Sequence, residues 1–149
     1  SYLYFWHECL YSGAPYVNLQ SEHKLHDLML ELHRKKILQS AHDISDGGLA
    51  LAVCESAFPN RLGFKIESFG TLRLDAFLFS EAGGRVIISV RNEEEDALRG
   101  TVIDHVEPLQ YLGQVTEDGT CSVDRKLLGK VSHLAELHES ALKPLMGEE

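Results

Sequence analysis

The chain has 149 residues, of which 44% are hydrophobic and 25% are charged. That composition suits a globular domain of ordinary size with a hydrophobic core, and it excludes an intrinsically disordered tail. The 14 Lys and Arg residues stand against 23 Asp and Glu residues, and the resulting net charge of −9 makes nucleic acid and anionic membrane surfaces poor partners.

The sequence carries no sign of membrane insertion or secretion. No apolar run approaches the roughly 20 residues that a membrane-spanning helix needs, and no signal-peptide pattern opens the chain. The cysteines, Cys9, Cys54 and Cys121, are scattered without a C-x-x-C pair, which fits neither a disulfide framework nor a zinc cluster. We therefore expect a cytoplasmic protein with reduced thiols and no membrane partner.

Residues 1–20 are predicted to form a lead-in segment. It opens with the aromatic stretch Tyr2–His7 and is interrupted by Gly13-Ala14-Pro15. We expect the aromatic side chains to pack on the domain itself rather than to stack on a nucleobase. Because the sequence begins at Ser1 without a methionine, within an apolar pattern, we expect it to be part of a longer chain.

The first long helix is predicted to begin at Ser21, a residue type that caps helix N-termini. The basic residues 34–36 suit its C-terminal end, where cations meet the negative end of the helix dipole. Between these ends, apolar side chains recur at helical spacing at Leu25, Leu28, Met29 and Leu32.

A polar, glycine-containing turn is predicted over residues 40–49, leading into a helix over residues 50–58. That helix is apolar on nearly every side, which predicts burial, and Pro59 ends it. Farther along, the β-branched run Arg85–Val90 predicts a buried strand, and a helix is predicted at Glu93–Leu98.

The last third of the chain predicts a hairpin and a final helix. An Asp-Gly tip within Thr116–Gly119 separates the strand-like runs 109–115 and 120–123, a pattern typical of a β-hairpin. From Val131 onward, apolar positions align on one helix face at Leu134, Leu137, Ala141 and Leu145. Together the elements predict one α+β domain over residues 1–149, built as a two-layer mixed sheet with packed helices.

The strongest candidate for chemistry is the turn His42-Asp43-Ile44-Ser45-Asp46-Gly47-Gly48, at the entry to the buried helix. Free N–H groups at a helix N-terminus attract anions, and glycines let a ligand approach the backbone closely. However, residues 40–60 contain no Lys or Arg, and the two Asp carboxylates would repel a bare phosphate. Mg²⁺ resolves the conflict, because it binds one or two carboxylates together with phosphate oxygens.

The same turn also permits a purely structural interpretation. Ser45 or Asp46 could simply cap the helix, Gly47 and Gly48 could simply allow the chain to turn, and Asp43 could be a solvated loop acid. The pattern D-x-S-D-G-G by itself is only moderately specific.

A resemblance to a known family favours the chemical interpretation. The string Ser40–Ala50 and the apolar helix after it closely resemble the last domain of the PurL family, the phosphoribosylformylglycinamidine synthases, which has a PurM-like fold. The segments Glu22–Leu38, Leu78–Val90 and Leu112–Val115 are similar to the family's preceding helix, Ser-Glu and Arg-strand segment, and Gly-x-Val strand. Residues 134–146 resemble the terminal helix of the small, multi-subunit type, which has no fused glutaminase domain.

The resemblance implies an ATP-dependent C–N ligase of purine biosynthesis. Such an enzyme converts formylglycinamide ribonucleotide (FGAR), ATP and glutamine-derived ammonia into formylglycinamidine ribonucleotide. In that family the first Asp of the turn binds Mg²⁺ and the Ser two residues later contacts nucleotide, which implies Asp43 as the metal ligand and Ser45, with Gly47 and Gly48, as nucleotide-binding residues. No residue of this domain is expected to do covalent catalysis. The implied partners are the N-terminal remainder of the chain, a glutaminase subunit and a small accessory subunit.

Two points stay open at the level of sequence. The family carries two copies of a domain pair with sites between domains, so these 149 residues alone are expected to be inactive. The turn could instead serve an auxiliary, non-catalytic nucleotide site of the same assembly.

The stretch Ala82-Gly83-Gly84 departs from the more polar family pattern, so Glu81 and Arg85 are expected to form a structural ion pair rather than a ligand contact.

Overall fold

The computed structural model describes residues 2–9, 13, 16–70, 72–105 and 108–141. The chain forms two compact units: unit 1 comprises Ser1–Ala52 and Leu78–Tyr111, and unit 2 comprises Val53–Phe77 and Leu112–Glu149. In chain order the elements are α1 (Tyr2–His7), α2 (Leu19–Arg34), β1 (Leu38–Asp43), α3 (Gly48–Ala57), β2 (Gly63–Ile66), α4 (Leu74–Phe79), β3 (Val86–Val90), a 3-10 helix (Asn92–Glu94), α5 (Glu95–His105), β4 (Gly113–Thr116), β5 (Thr120–Val123), β6 (Lys126–Lys130) and α6 (Val131–Ser140). The architecture is α+β, as predicted.

The apolar face of α2 is the one that the periodicity predicts, but its N-terminal cap is different. Leu28 and Leu32 are buried, and the helix ends at Arg34 as expected. The predicted cap at Ser21 is wrong: the side chain of Asn18 accepts hydrogen bonds from the backbone N–H groups of Gln20 (3.0 Å) and Ser21. Asn is as good a cap as Ser, so the cap lies three residues earlier than predicted, and its side chain satisfies two of the free donors of the first turn.

Strand β1 replaces the first part of the predicted turn. Residues 40–43 pair antiparallel with β3, Ser40 opposite Ser89 and Asp43 opposite Val86. Ser, Ala, His and Asp have little strand preference of their own, so the β-branched partner strand supplies the stabilisation. β3 is half-buried along its whole length rather than buried as predicted, because β1 is its only partner among the described residues.

The core of unit 1 lies between the β1–β3 ribbon and helices α2 and α5. Its buried side chains are Leu28, Leu32, Ile37, Leu98 and Val102, and Leu38, Ile88 and Val90 of the ribbon pack against them. Helix α5 continues to His105, well beyond the predicted Leu98. The packing of Leu98 and Val102 onto α2 stabilises that extension.

Helix α1 is exposed. The ring of Tyr2 stacks on that of Phe79 with centroids 4.7 Å apart. Phe5 and Trp6 are each 77% exposed, so the expectation that the aromatic lead-in packs on its own domain is wrong for these two side chains. No helix among the described residues combines the length and apolar character that a membrane span requires.

Unit 2 contains a four-stranded sheet with strand order β4-β2-β5-β6 among the described residues. The hairpin predicted across Thr116–Gly119 is wrong, because β2 lies between β4 and β5, antiparallel to the first and parallel to the second. The two-residue hairpin of this sheet joins β5 to β6 instead. Its turn residues, Asp124 and Arg125, have φ of +48° and +63°, the left-handed pair that matches the twist of hairpin strands.

The final helix begins at Val131, as predicted, and Val131 is buried. Residues 142–149, including the predicted helix position Leu145, lie outside the described residues.

A polar cluster links α2 to α5 at the edge of the unit 1 core. The Glu31 carboxylate lies 2.6 Å from Nζ of Lys35 and 2.7 Å from Nε2 of His105. Lys35 also donates a hydrogen bond to Oγ1 of Thr101, at 3.0 Å. The contact with His105, followed by that with Lys35, lowers the pKa of Glu31 from 4.5 to about 2.

Glu31→Gln is expected to lower the melting temperature at pH 7, with a difference from wild type that disappears in acid. A carboxyl whose pKa is depressed in the folded state stabilises the fold above its unfolded pKa, and that stability is lost as pH falls from 4.5 to about 2. Thermal melts followed by circular dichroism across this range measure the effect, with Glu136→Gln on α6 as the control. A difference that stays constant down to pH 2 would contradict the assignment.

Candidate functional site

The sequence-predicted site residues lie together where β1 passes into α3. Asp43 is the last residue of β1 and Gly48 the first of α3. The side chains of Asp43, Ser45 and Asp46 are exposed. Ile44 between them is 7% exposed, so one buried side chain anchors the turn while its polar neighbours face solvent.

Backbone hydrogen bonds hold this turn in place. The N–H of Ile44 donates to the carbonyl of Arg85, and the N–H of Gly48 donates to the carbonyl of Ser45, both at 3.0 Å. The N–H of Gly47 donates to Oε1 of Glu81, also at 3.0 Å. Since Arg85 and Glu81 belong to the segment between α4 and β3, residues 80–85 form the support on which the turn rests.

Both glycines of the turn have left-handed backbones, with φ of +78° at Gly47 and +65° at Gly48. A Cβ at Gly48 would lie 2.7 Å from the carbonyl oxygen of Leu78 and 2.8 Å from that of Ser80. Gly48 therefore lacks a side chain because two backbone segments meet there. A direct role of Gly48 in nucleotide binding stays a prediction.

The supporting segment is itself held by Arg85. Its guanidinium donates to the carbonyl oxygens of Ala82, at 3.0 Å, and Ser80. Burial lowers the pKa of Arg85 from its ordinary value. The predicted ion pair between Glu81 and Arg85 stays a prediction, whereas the bond from Gly47 to Glu81 is a contact that the sequence analysis missed. No local pattern could have revealed it, because the two residues are 34 positions apart.

The carboxylates of the turn fit a magnesium site in which a bound phosphate supplies the other ligands. The part of the chain that the structure describes holds no group of three or more His, Cys, Asp or Glu side chains arranged to bind a metal ion. Mg²⁺ needs no such group, because it keeps several waters and takes one or two carboxylates together with substrate phosphates. The exposed carboxylates of Asp43 and Asp46 match that requirement.

Comparison with protein families places most of the chain in one of them. Residues 6–126 match the family described as AIR synthase related protein, C-terminal domain. The phosphoribosylformylglycinamidine synthase subunit PurL of Chlorobium luteolum is 38% identical over 121 residues, covering 76% of this chain and 16% of the relative. The same subunit of Thermobifida fusca is 35% identical over 145 residues, covering 95% of this chain and 18% of the relative.

Solved structures share the fold. Phosphoribosylformylglycinamidine synthase II of Thermotoga maritima superposes with a TM-score of 0.72 and 18% identity, over 81% of this chain and 22% of that one. T. maritima PurL complexed with FGAR or with ATP, and the PurLQS structure from the same organism, give TM-scores of 0.67, 0.66 and 0.68 at 19% identity. They match 76%, 75% and 76% of this chain and 21% of each of those chains. At this identity the likeness concerns the fold.

Proposed function

The chain belongs to the AIR synthase related proteins, as a PurM-like C-terminal domain of the PurL type, and from this premise we propose that it contributes a magnesium–nucleotide contact to phosphoribosylformylglycinamidine synthase. The complete enzyme would be an ATP-dependent ligase that converts FGAR and glutamine-derived ammonia into the amidine in purine biosynthesis. The relatives named above, PurL subunits of which the chain spans less than a fifth, support this activity.

The observation that carries the proposal is the exposed Asp43 on a turn fixed at both ends. Its carboxylate would hold Mg²⁺ at the end of β1, and the exposed hydroxyl of Ser45 would bind the nucleotide beside it. When bound, Mg²⁺ supplies neutralisation of the charge that develops on phosphoryl oxygens during transfer. The fixed backbone of Ile44 and Gly47 reduces the entropy lost when the ligands are ordered.

We further propose that residues 1–149 act as one domain within a larger assembly. The family match runs through residues of both units, from 6 to 126. The PurLQS structure and the FGAR complex of T. maritima support a multi-subunit enzyme with this substrate. The proposed partners are therefore the N-terminal remainder of the chain, a glutaminase subunit and a small accessory subunit.

Asp43→Asn, in the complete natural polypeptide, is expected to weaken binding of Mg²⁺–ATP by about 10- to 100-fold. That is the scale of one charge-assisted contact, about 1.5–3 kcal/mol. Isothermal titration calorimetry measures the affinity, and ADP release with FGAR, Mg²⁺ and ammonia measures turnover. Asp104→Asn, an exposed Asp on α5, is the matched control.

The pattern of losses separates the proposal from its alternatives. Collapse of turnover together with weaker Mg²⁺–ATP binding and an unchanged melting temperature supports a role of Asp43 in the working site. Persistent turnover with lost nucleotide or lost stability assigns the turn to an auxiliary, non-catalytic nucleotide site. If the wild-type protein does not turn over FGAR at all, the proposed reaction is wrong.

A further inference from the structure

The N-terminus of α3 already holds an anion from its own chain. The first N–H groups of a helix have no intrahelical acceptor, and together with the helix dipole they favour negative charge. The half-buried carboxylate of Glu81 accepts the hydrogen bond from the N–H of Gly47, at 3.0 Å, immediately before the first residue of α3. The carboxylate thus accepts from an N–H group that could otherwise donate to an anionic ligand.

The backbone that carries Glu81 is closely packed on one side and hydrogen-bonded on the other. The backbone on its N-terminal side, at Leu78 and Ser80, leaves no room for a side chain at Gly48. On its other side, Arg85 binds the carbonyl of Ala82 through its side chain and the N–H of Ile44 through its backbone. The turn and the segment 80–85 therefore form one hydrogen-bonded assembly, with Glu81 inside it.

We propose that Glu81 is a positioning residue, which holds the turn so that Asp43 and Ser45 face the ligand. Its negative charge also restricts the site to anions that are bound to a divalent cation. This inference rests on the proposed function of the turn. It assigns Glu81 two separable roles. As a hydrogen-bond acceptor it fixes the backbone at Gly47, and as a negative charge, added to those of Asp43 and Asp46, it repels metal-free phosphate.

Two substitutions separate the roles. Glu81→Gln keeps an oxygen that can accept from Gly47 but removes the charge, whereas Glu81→Ala removes both. Each variant is made in the complete natural polypeptide, with Glu117→Gln, an exposed position in the turn after β4, as the control. ATP affinity is measured with Mg²⁺ and again with EDTA, and amide hydrogen exchange is followed at residues 44–48.

We expect Glu81→Gln to retain the Mg²⁺–ATP affinity within about twofold and to bind metal-free ATP up to about fivefold more tightly, the scale of one charge at a helix N-terminus. Glu81→Ala is expected to exchange the amides of residues 44–48 faster and to bind Mg²⁺–ATP at least about fivefold more weakly, the scale of one lost hydrogen bond. A residue that only stabilised the fold would not change the ratio of the two affinities.

Two outcomes overturn the inference. If both variants match wild type in affinity and in exchange at residues 44–48, Glu81 does not position the turn. If Glu81→Gln loses Mg²⁺–ATP affinity as strongly as Glu81→Ala, Glu81 contacts the ligand directly instead. Failure of Asp43→Asn to weaken Mg²⁺–ATP binding would contradict the proposed function, and the exchange measurement would still test whether Glu81 fixes the turn.

Discussion

Gly48→Ala is expected to lower the free energy of unfolding by about 3 kcal/mol or more. A left-handed backbone costs a non-glycine residue about 1–2 kcal/mol, and Gly48 has φ of +65°. The added Cβ would also lie 2.7 Å from the carbonyl oxygen of Leu78 and 2.8 Å from that of Ser80. Both neighbours are backbone atoms, so no side-chain rotation relieves the overlap, and either α3 or the end of α4 must shift.

Other glycines of the chain separate these two costs. Gly70 also has a left-handed backbone, with φ of +80°, but open space around it, so Gly70→Ala should cost only the dihedral term of about 1–2 kcal/mol. Gly100 lies within α5 and is also surrounded by open space, so Gly100→Ala should stabilise the protein by about 0.5–1 kcal/mol. Urea unfolding followed by far-ultraviolet circular dichroism gives all three values.

A loss at Gly48 no larger than that at Gly70 would mean that the turn and the end of α4 are less closely packed than the structure has them. The substitution also tests the site. Asp43 and Gly48 lie at the two ends of the same turn. A shift at Gly48 should therefore weaken Mg²⁺–ATP binding as well as lower the free energy of unfolding.

Leu32→Ala is expected to destabilise unit 1 by about 3 kcal/mol, within the range of about 2–5 kcal/mol for buried Leu→Ala changes. Leu32 is fully buried in the core that it shares with Leu28 and Leu98. Its loss leaves a cavity between α2 and α5. Leu30→Ala, on the same helix but at a side chain that is 53% exposed, is the matched control and should cost less than about 1 kcal/mol.

Equal losses for the two variants would contradict the packing of α2. The core also supports the ribbon that leads to the site, because Leu38 and Ile88 pack on it. We therefore expect the amides of β1 to exchange faster in Leu32→Ala, whereas Leu30→Ala should leave them unchanged.

The helices were largely predictable because their signal is local. The spacing of Leu28 and Leu32 identifies the buried face of α2 without reference to the rest of the chain. The cap was misassigned because Asn18 and Ser21 are equally suitable residues three positions apart. Pattern alone does not choose between them, and the hydrogen bonds of Asn18 do.

The strand pairings were not predictable in the same way, since they depend on distant segments. β1 has weak strand propensity and exists through its pairing with β3, some 45 residues away. The prediction of a hairpin between β4 and β5 was wrong because β2, far earlier in the chain, pairs with both strands. A turn sequence favours a reversal of the chain, but it does not determine which strands become neighbours.

For the candidate site, the sequence predicts which turn carries the candidate residues but not the contacts that support that turn. Its composition identifies Asp43 and Ser45 through their position before a buried helix, and the structure brings both to the exposed side of that turn. The support from Glu81 and Arg85 could not be predicted, because nothing in their own neighbourhood relates them to residues 44–48.

The exposed helix α1 has a spectroscopic consequence. Trp6 is the single tryptophan of the sequence, and it is 77% exposed in the folded chain. Its emission should therefore already be red-shifted in the native protein and should change little when either unit unfolds. A blue shift, by contrast, would report directly that some other surface has covered the lead-in helix, which gives a label-free optical signal for assembly.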